Sequence, residues 1–226
     1  MSTPEEKHLF RVSLETSLTL LAFVLLFTAL SAWVYLFTKP TIQASAKEER
    51  LVFFNQVLPS KLYNNDPILD TITLPPEPEL GQRVATQVYR ARMNGKPAGL
   101  ILEAIAPDGY SGDIKMLIGL DAKGNLLSVR VTEHKETPGL GDYIDPKKDR
   151  NKAHPWIMQF NNLPALSDAQ WQVKKDGGSF DAVAGATVTP RAVVKAVHKA
   201  VKFAQANLTM LFGPTANGPS NSTKSH

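Results

Sequence analysis

The chain has 226 residues, 43% hydrophobic and 20% charged, with a net charge of +4 and no cysteine. The missing cysteine excludes disulfides, zinc–cysteine sites, iron–sulfur ligation by its own side chains and a thiol nucleophile. The mild charge suits a folded protein and does not indicate a nucleic-acid partner.

The first predicted element is apolar. Ser17 to Thr38 (SLTLLAFVLLFTALSAWVYLFT) runs for 22 residues without a charge. A helix of that length spans roughly 33 Å, enough for a bilayer's hydrocarbon core. Trp33 and Tyr35 lie near its C-terminal end, where interfacial aromatics gather. A cleaved signal peptide has a shorter apolar core and a cleaner basic start than this segment, which carries Glu5, Glu6 and Glu15 beside Lys7 and Arg11. The expected element is therefore an uncleaved anchor. Lys7 and Arg11 before it nearly balance Lys39, Lys47 and Arg50 after it, so charge alone leaves the orientation open.

Glu48 to Leu58 has helical spacing and leads out of the anchor, and Leu74 to Glu79 (LPPEPE) is a proline-rich break. The period then changes to two. Val84–Met93 and Ala98–Ala106 flank Asn94-Gly95-Lys96-Pro97, and Asp113–Leu120 and Leu126–Glu133 flank Asp121 to Asn125. Two hairpins in succession predict an antiparallel sheet. A long irregular stretch follows, Pro138 to Asp181, around the short apolar piece Trp156–Phe160. Loops of that length inside a compact domain are usually functional or disordered.

The last predicted element is a helix, with Thr189 as its N-cap and Pro190 at its first position. Val193, Val197, Val201, Ala204, Leu208 and Leu211 form one apolar stripe, and Arg191, Lys195, Lys199 and Lys202 lie mostly on other faces. Gly213-Pro214 ends it, and the polar tail after it is expected to be disordered. Strands followed by a packing helix predict an α+β domain. The resulting division is 1–16, a transmembrane helix over 17–38, a linker and helical lead-in over 39–80, the domain over 81–212, and a tail over 213–226.

The five histidines show no metal-ligand spacing, and no GxSxG, phosphate-binding loop or dinucleotide fingerprint is present. His198 is expected to be solvated on a polar helix face. Two stretches stand out. Asp181 to Pro190 (DAVAGATVTP) is a run of small residues entering a helix, whose free N–H groups would favour an anion near Thr187. On composition alone, a tight strand-to-helix turn is the better reading of the same residues. Thr132 to Asp142 runs a strand into a Pro-Gly-x-Gly loop, which can fold over a flat ligand or be a plain turn.

Together HKETPGLGD (His134–Asp142), GYSGDI (Gly109–Ile114) and DAVAGATVTPRAV (Asp181–Val193) resemble the G-type subunits of Rnf/Rsx electron-transport complexes. The C-type subunit of the sodium-pumping NADH:quinone reductase is a more distant relative. The resemblance implies an FMN-binding domain with FMN joined through its phosphate to a threonine in the pattern Asp-x-x-Ser/Thr-Gly-Ala-Thr. That pattern falls on Asp181, Gly185, Ala186 and the acceptor Thr187, with Ala184 where a hydroxyl residue usually stands and Thr189 as the fallback acceptor. It also implies a cytoplasmic N-terminus, a bacterial inner-membrane anchor and a periplasmic domain. Glu136, Thr137, Gly139, Leu140 and Gly141 are expected to supply one wall for the flavin ring, and Tyr110 and Ser111 another. The implied function is electron relay within a membrane complex that couples electron transfer to ion movement. The implied partners are other membrane subunits and a flavin transferase using FAD. The alternatives are a C-type subunit of the sodium pump and an anchored binding or assembly module without redox activity.

Overall fold

The computed structural model describes residues 4–213, with the backbone alone for 4–10 and 40–50. The elements in order are helix α1 (Pro4–Val57), strands β1 (Thr71–Leu74), β2 (Thr86–Met93), β3 (Lys96–Ala106), β4 (Ile114–Asp121) and β5 (Leu126–Glu133), and helix α2 (Val188–Phe212). Residues 1–50 and 51–226 are separate compact units. In the first unit, Arg11–Lys39 is the one stretch among the described residues long and apolar enough to cross a membrane. Its apolar side chains, Leu18, Phe23 and Phe27 among them, are exposed within the chain.

The second unit is an antiparallel meander in the order β1-β2-β3-β4-β5. Both expected hairpins form. Asn94 and Gly95 close the first with φ of 51° and 77° between the paired Met93 and Lys96, the positive-φ pair that matches the twist of two strands. The second closes on Asp121, whose carboxylate accepts from the backbone N–H groups of Lys123 and Asn125 at 2.8 Å. Strand β1 was not expected. It pairs with β2 from Thr71↔Tyr89 to Leu74↔Thr86, and Leu74 and Leu80 are buried in the main core. The segment read as linker over 39–80 thus contributes an edge strand, and the compact unit begins at Leu51.

Both faces of the sheet are covered, which explains the unbroken apolar run Leu100-Ile101-Leu102 in β3. Leu100 and Leu102 face α2 with Val88, Met116, Ile118 and Val129, against the helix residues Val193, Val197, Val201 and Ala204. Ile101 faces the other way with Tyr89, Ala91 and Leu117, against Phe54, Val57 and Leu58 at the end of α1. That close approach depends on Gly119, where a Cβ would lie 2.0 Å from the Val57 carbonyl oxygen. Ser128 secures the same place by donating to the Gln56 and Val57 carbonyls at 2.9 and 3.2 Å. Gly119→Ala is therefore expected to destabilise the domain by about 1–3 kcal/mol. The check is thermal unfolding of the detergent-solubilised chain, and an unchanged midpoint would refute the close packing.

The stretch between Glu133 and α2 is irregular, as expected, but ordered by four short 3-10 helices over Asp142–Ile144, Trp156–Phe160, Asp168–Gln170 and Lys174–Asp176. Tyr143, Trp156, Phe160, Phe180 and Trp171 interlock along it. His198 differs from expectation. It is half-buried, stacked on Trp171 at 5.0 Å between ring centroids, with Nε2 3.1 Å from Asp168 Oδ1. The expected disordered tail lies outside the described residues beyond Gly213.

Candidate functional site

The sheet register places the site. Lys115 pairs with Ile105 on β3 and Glu133 on β5, so the β3–β4 turn and the exit of β5 share one end of the sheet. The start of α2 reaches the same end, where Lys195 meets Asp108 of that turn. All three sequence stretches singled out above therefore meet there.

Glu136 is the junction. The residue is buried, 4% exposed. Oε1 accepts from the Ser111 backbone N–H at 2.9 Å, and Oε2 accepts from the Thr189 hydroxyl. Its own N–H donates to His134 Nδ1 at 3.1 Å. The loop after it turns tightly, with the Leu140 and Gly141 N–H groups donating to the Thr137 carbonyl at 3.1 and 3.0 Å. Gly141 must be small, because a Cβ there would sit 2.7 Å from Thr189 Oγ1 and 2.8 Å from Glu136 Oε2. Glu136→Ala removes the acceptor from a buried hydroxyl and a backbone N–H at once. The expected loss is about 2–3 kcal/mol, with a smaller loss for Glu136→Gln, whose amide still accepts at one atom. Chemical denaturation of the full chain measures both, and equal stability of all three forms would refute the junction.

Around this buried carboxylate the neighbouring apolar side chains point outward. Tyr110 is 69% exposed, Leu140 54% and Val188 45%. Each adjoins in sequence a residue that touches Glu136 or its partner, namely Ser111, Gly141 and Thr189. Tyr110, Leu140 and Val188 are thus exposed beside a rigid polar knot.

The helix start differs from expectation. Thr187 is the N-cap residue and α2 begins at Val188, so Thr189 and Pro190 lie inside the first turn. Pro190 is tolerated there because the first-turn N–H groups have no partner within the helix. Thr189 turns inward to Glu136 and is 2% exposed. Thr187 stays half-buried, and its hydroxyl accepts from Arg191 Nη1 at 3.1 Å. Gly185, with φ of 82°, and Ala186 turn the chain into the helix. The Ala186 carbonyl accepts from the Tyr143 hydroxyl at 3.0 Å, and burial pushes that phenol up to about 12. Asp181 is exposed and pairs with Lys174 at 2.6 Å, while its carbonyl accepts from Trp156 Nε1 at 2.6 Å.

His134 beside the junction is held below its usual range, first by burial and then by Lys148. Its Nδ1 accepts the Glu136 N–H, so its neutral form carries the proton on Nε2. A cleft of about 460 Å³ opens beside the segment Asp181–Val183, lined also by Tyr143, Asp149, His154 and Trp156 among others.

Of the candidate residues read from sequence, the fold brings Glu136, Ser111 and Gly141 together, and Thr187 lies two residues before Thr189, which joins them. Thr137, Gly139 and Leu140 lie on the same loop, and Tyr110 is next to Ser111. The sequence reading missed Tyr143, Asp176 and the partnership of Thr189 with Glu136. It placed Arg191 off the apolar stripe of α2 without naming a partner, although the four-residue spacing from Thr187 is about one helical turn.

Comparison with known proteins identifies the domain that holds these segments. The model of the FMN-binding domain matches residues 109–202, which contain all three motifs, and the model of the RnfG N-terminal region matches residues 9–57. The G-type subunit of the ion-translocating oxidoreductase complex of Pseudomonas aeruginosa is 44% identical over 90% of this chain and 94% of its own length. Its counterpart in Cronobacter sakazakii is 46% identical over 83% and 88%, and that in Vibrio cholerae 41% over 84% and 88%. The crystal structure of NqrC from Shewanella oneidensis superposes with a TM-score of 0.42 at 21% identity, covering 66% of this chain and 74% of that one. By its identity to the oxidoreductase relatives along nearly its whole length, the chain belongs to the RnfG family, the G-type subunits of ion-translocating oxidoreductase complexes.

Proposed function

We propose that the chain is a membrane-anchored flavoprotein subunit that relays electrons within an ion-translocating oxidoreductase complex, with FMN joined through its phosphate to Thr187 Oγ1. The observation that carries this reading is the meeting of three motif segments at Glu136, next to an accessible threonine hydroxyl with a guanidinium on it.

The residues fit the group. Thr187 presents its oxygen ahead of the N–H groups that open α2, where a negative charge is favoured. Tyr110, Leu140 and Val188 would hold the apolar ring system from three sides, and Glu136 keeps those three segments in place. Gly139, Gly141 and Thr137 give the loop its tight turn, so backbone as well as side chains would line the ring. When bound, FMN supplies the redox chemistry that a cysteine-free chain lacks. In maturation Thr187 Oγ1 would attack the flavin-side phosphorus of FAD. The new O–P bond forms as the pyrophosphate bond breaks, AMP leaves, and the hydroxyl proton passes to the flavin transferase. Exposed Asp181 would serve that enzyme as a recognition point. A covalent tether then keeps the cofactor at high effective concentration.

On this reading Arg11–Lys39 anchors the chain in the bacterial inner membrane, the compact unit is periplasmic, and the other membrane subunits supply donor and acceptor. The test is to produce the full chain with a flavin transferase, denature it and look for flavin fluorescence in its gel band. A fluorescent band is expected, and a dark one overturns the attachment.

A further inference from the structure

The turn Lys174–Asp176 has no part in the reading above, yet it faces the attachment segment with both ends of its charge. Lys174 pairs with Asp181 at one end of that segment. At the other end Asp176 takes Arg191 in a two-point fork, Nε to Oδ2 at 2.6 Å and Nη2 to Oδ1 at 2.7 Å. The third nitrogen, Nη1, donates to Thr187 Oγ1 at 3.1 Å. Two of the three nitrogens thus fix the guanidinium, and the third is aimed at the acceptor hydroxyl.

A lone exposed ion pair stabilises a fold very little. The fork has a different consequence. An arginine side chain loses much rotamer freedom when it binds a ligand, and here Asp176 has already removed that freedom. The guanidinium is planar, always charged and rich in donors, which matches a phosphate better than an ammonium does. It has five N–H donors; two go to Asp176 and one to Thr187, so two remain for a second anion. Nor can it act as a base, so its effect on Thr187 is electrostatic and positional.

We propose that Arg191, held by Asp176, is the phosphate-positioning residue of the flavin tether. The Nη1 that now contacts Oγ1 would contact a non-bridging phosphate oxygen two bonds further on, and Asp176 acts only through Arg191. This rests on Thr187 as the site of attachment.

The test uses the full chain produced with a flavin transferase, as wild type, Arg191→Ala, Arg191→Lys, Asp176→Ala and the double alanine variant. Three quantities are read: the rate of flavin loading, the phosphorus-31 chemical shift of the loaded protein, and the thermal midpoint. Arg191→Ala is expected to load about tenfold more slowly, the effect of losing one charge-assisted hydrogen bond. Its phosphorus signal should move towards that of a solvated phosphodiester, with little change in midpoint. Arg191→Lys should recover part of the rate and part of the shift. The double variant should be no worse than Arg191→Ala alone, since Asp176 has no separate route to the phosphate. A loaded wild type with Arg191→Ala matching it in rate and phosphorus shift overturns the proposal while leaving the attachment intact. A dark wild type overturns the attachment, and the clamp with it.

Discussion

Thr187→Ala is expected to leave the denatured chain without flavin fluorescence however much transferase is present, while Thr189→Ala keeps the fluorescence and loses stability. The two hydroxyls are two residues apart and have opposite environments. Thr187 is the N-cap residue, makes no capping hydrogen bond, and its hydroxyl accepts from the exposed end of Arg191. Its loss should change stability by no more than about 0.5 kcal/mol, because no buried group is stranded. Thr189 is buried, and its hydroxyl is committed to Glu136. Removing it leaves a buried carboxylate oxygen without a donor, a loss of about 1–3 kcal/mol. Thr187→Ser should load, since the oxygen remains. In-gel fluorescence and thermal unfolding of the three variants decide the matter. A dark Thr189→Ala beside a fluorescent Thr187→Ala would move the attachment by two residues and sink the assignment.

The second large effect lies at the other end of the same helix. Asp70 sits between two buried arginines, 2.5 Å from Arg90 Nη2 and 2.7 Å from Arg92 Nε. Those arginines cap the last carbonyls of α2. Arg92 Nη2 donates to Phe212 and Gly213 at 2.8 and 3.1 Å, and Arg90 Nη1 donates to Gly213 at 3.3 Å. Cations there answer the carbonyls that a helix end leaves unpaired and its partial negative charge. Asp70→Ala removes the carboxylate that joins both, and two desolvated guanidinium groups then share the site. Breaking a buried ion pair in this way lowers stability by about 3–5 kcal/mol. Chemical denaturation of the full chain should show that loss, and a change under about 1 kcal/mol would refute the cluster's role. Loading of Thr187 in whatever fraction stays folded should be unaffected, because the cluster is at the far end of α2.

These two sites also separate what the chain's order reveals from what it hides. The apolar run within Arg11–Lys39, the two hairpins and the stripe on α2 were legible because each rests on a local period of 3.6 or 2. The FMN-binding domain itself was legible through resemblance, carried by three short motifs that all lie within residues 109–202. Strand β1 was not, since four residues beside a proline-rich break carry too little periodicity to distinguish an edge strand from a linker. The helix start was misplaced by two residues for a related reason. Thr189-Pro190 has the local form of a cap, but the buried carboxylate of Glu136 captures the Thr189 hydroxyl and draws it into the first turn.

By itself, then, the sequence determined the apolar span, the meander, the amphipathic helix and the family motifs, all of them properties of neighbours along the chain. Tertiary structure alone decided which side chains share a site. Glu136 meets Ser111 across 25 positions and Thr189 across 53, and Arg92 reaches the end of α2 across 120. No local preference specifies such pairs. They form because a buried charge must find a donor and a helix end must find a cap, and only the packed sheet brings those groups within reach.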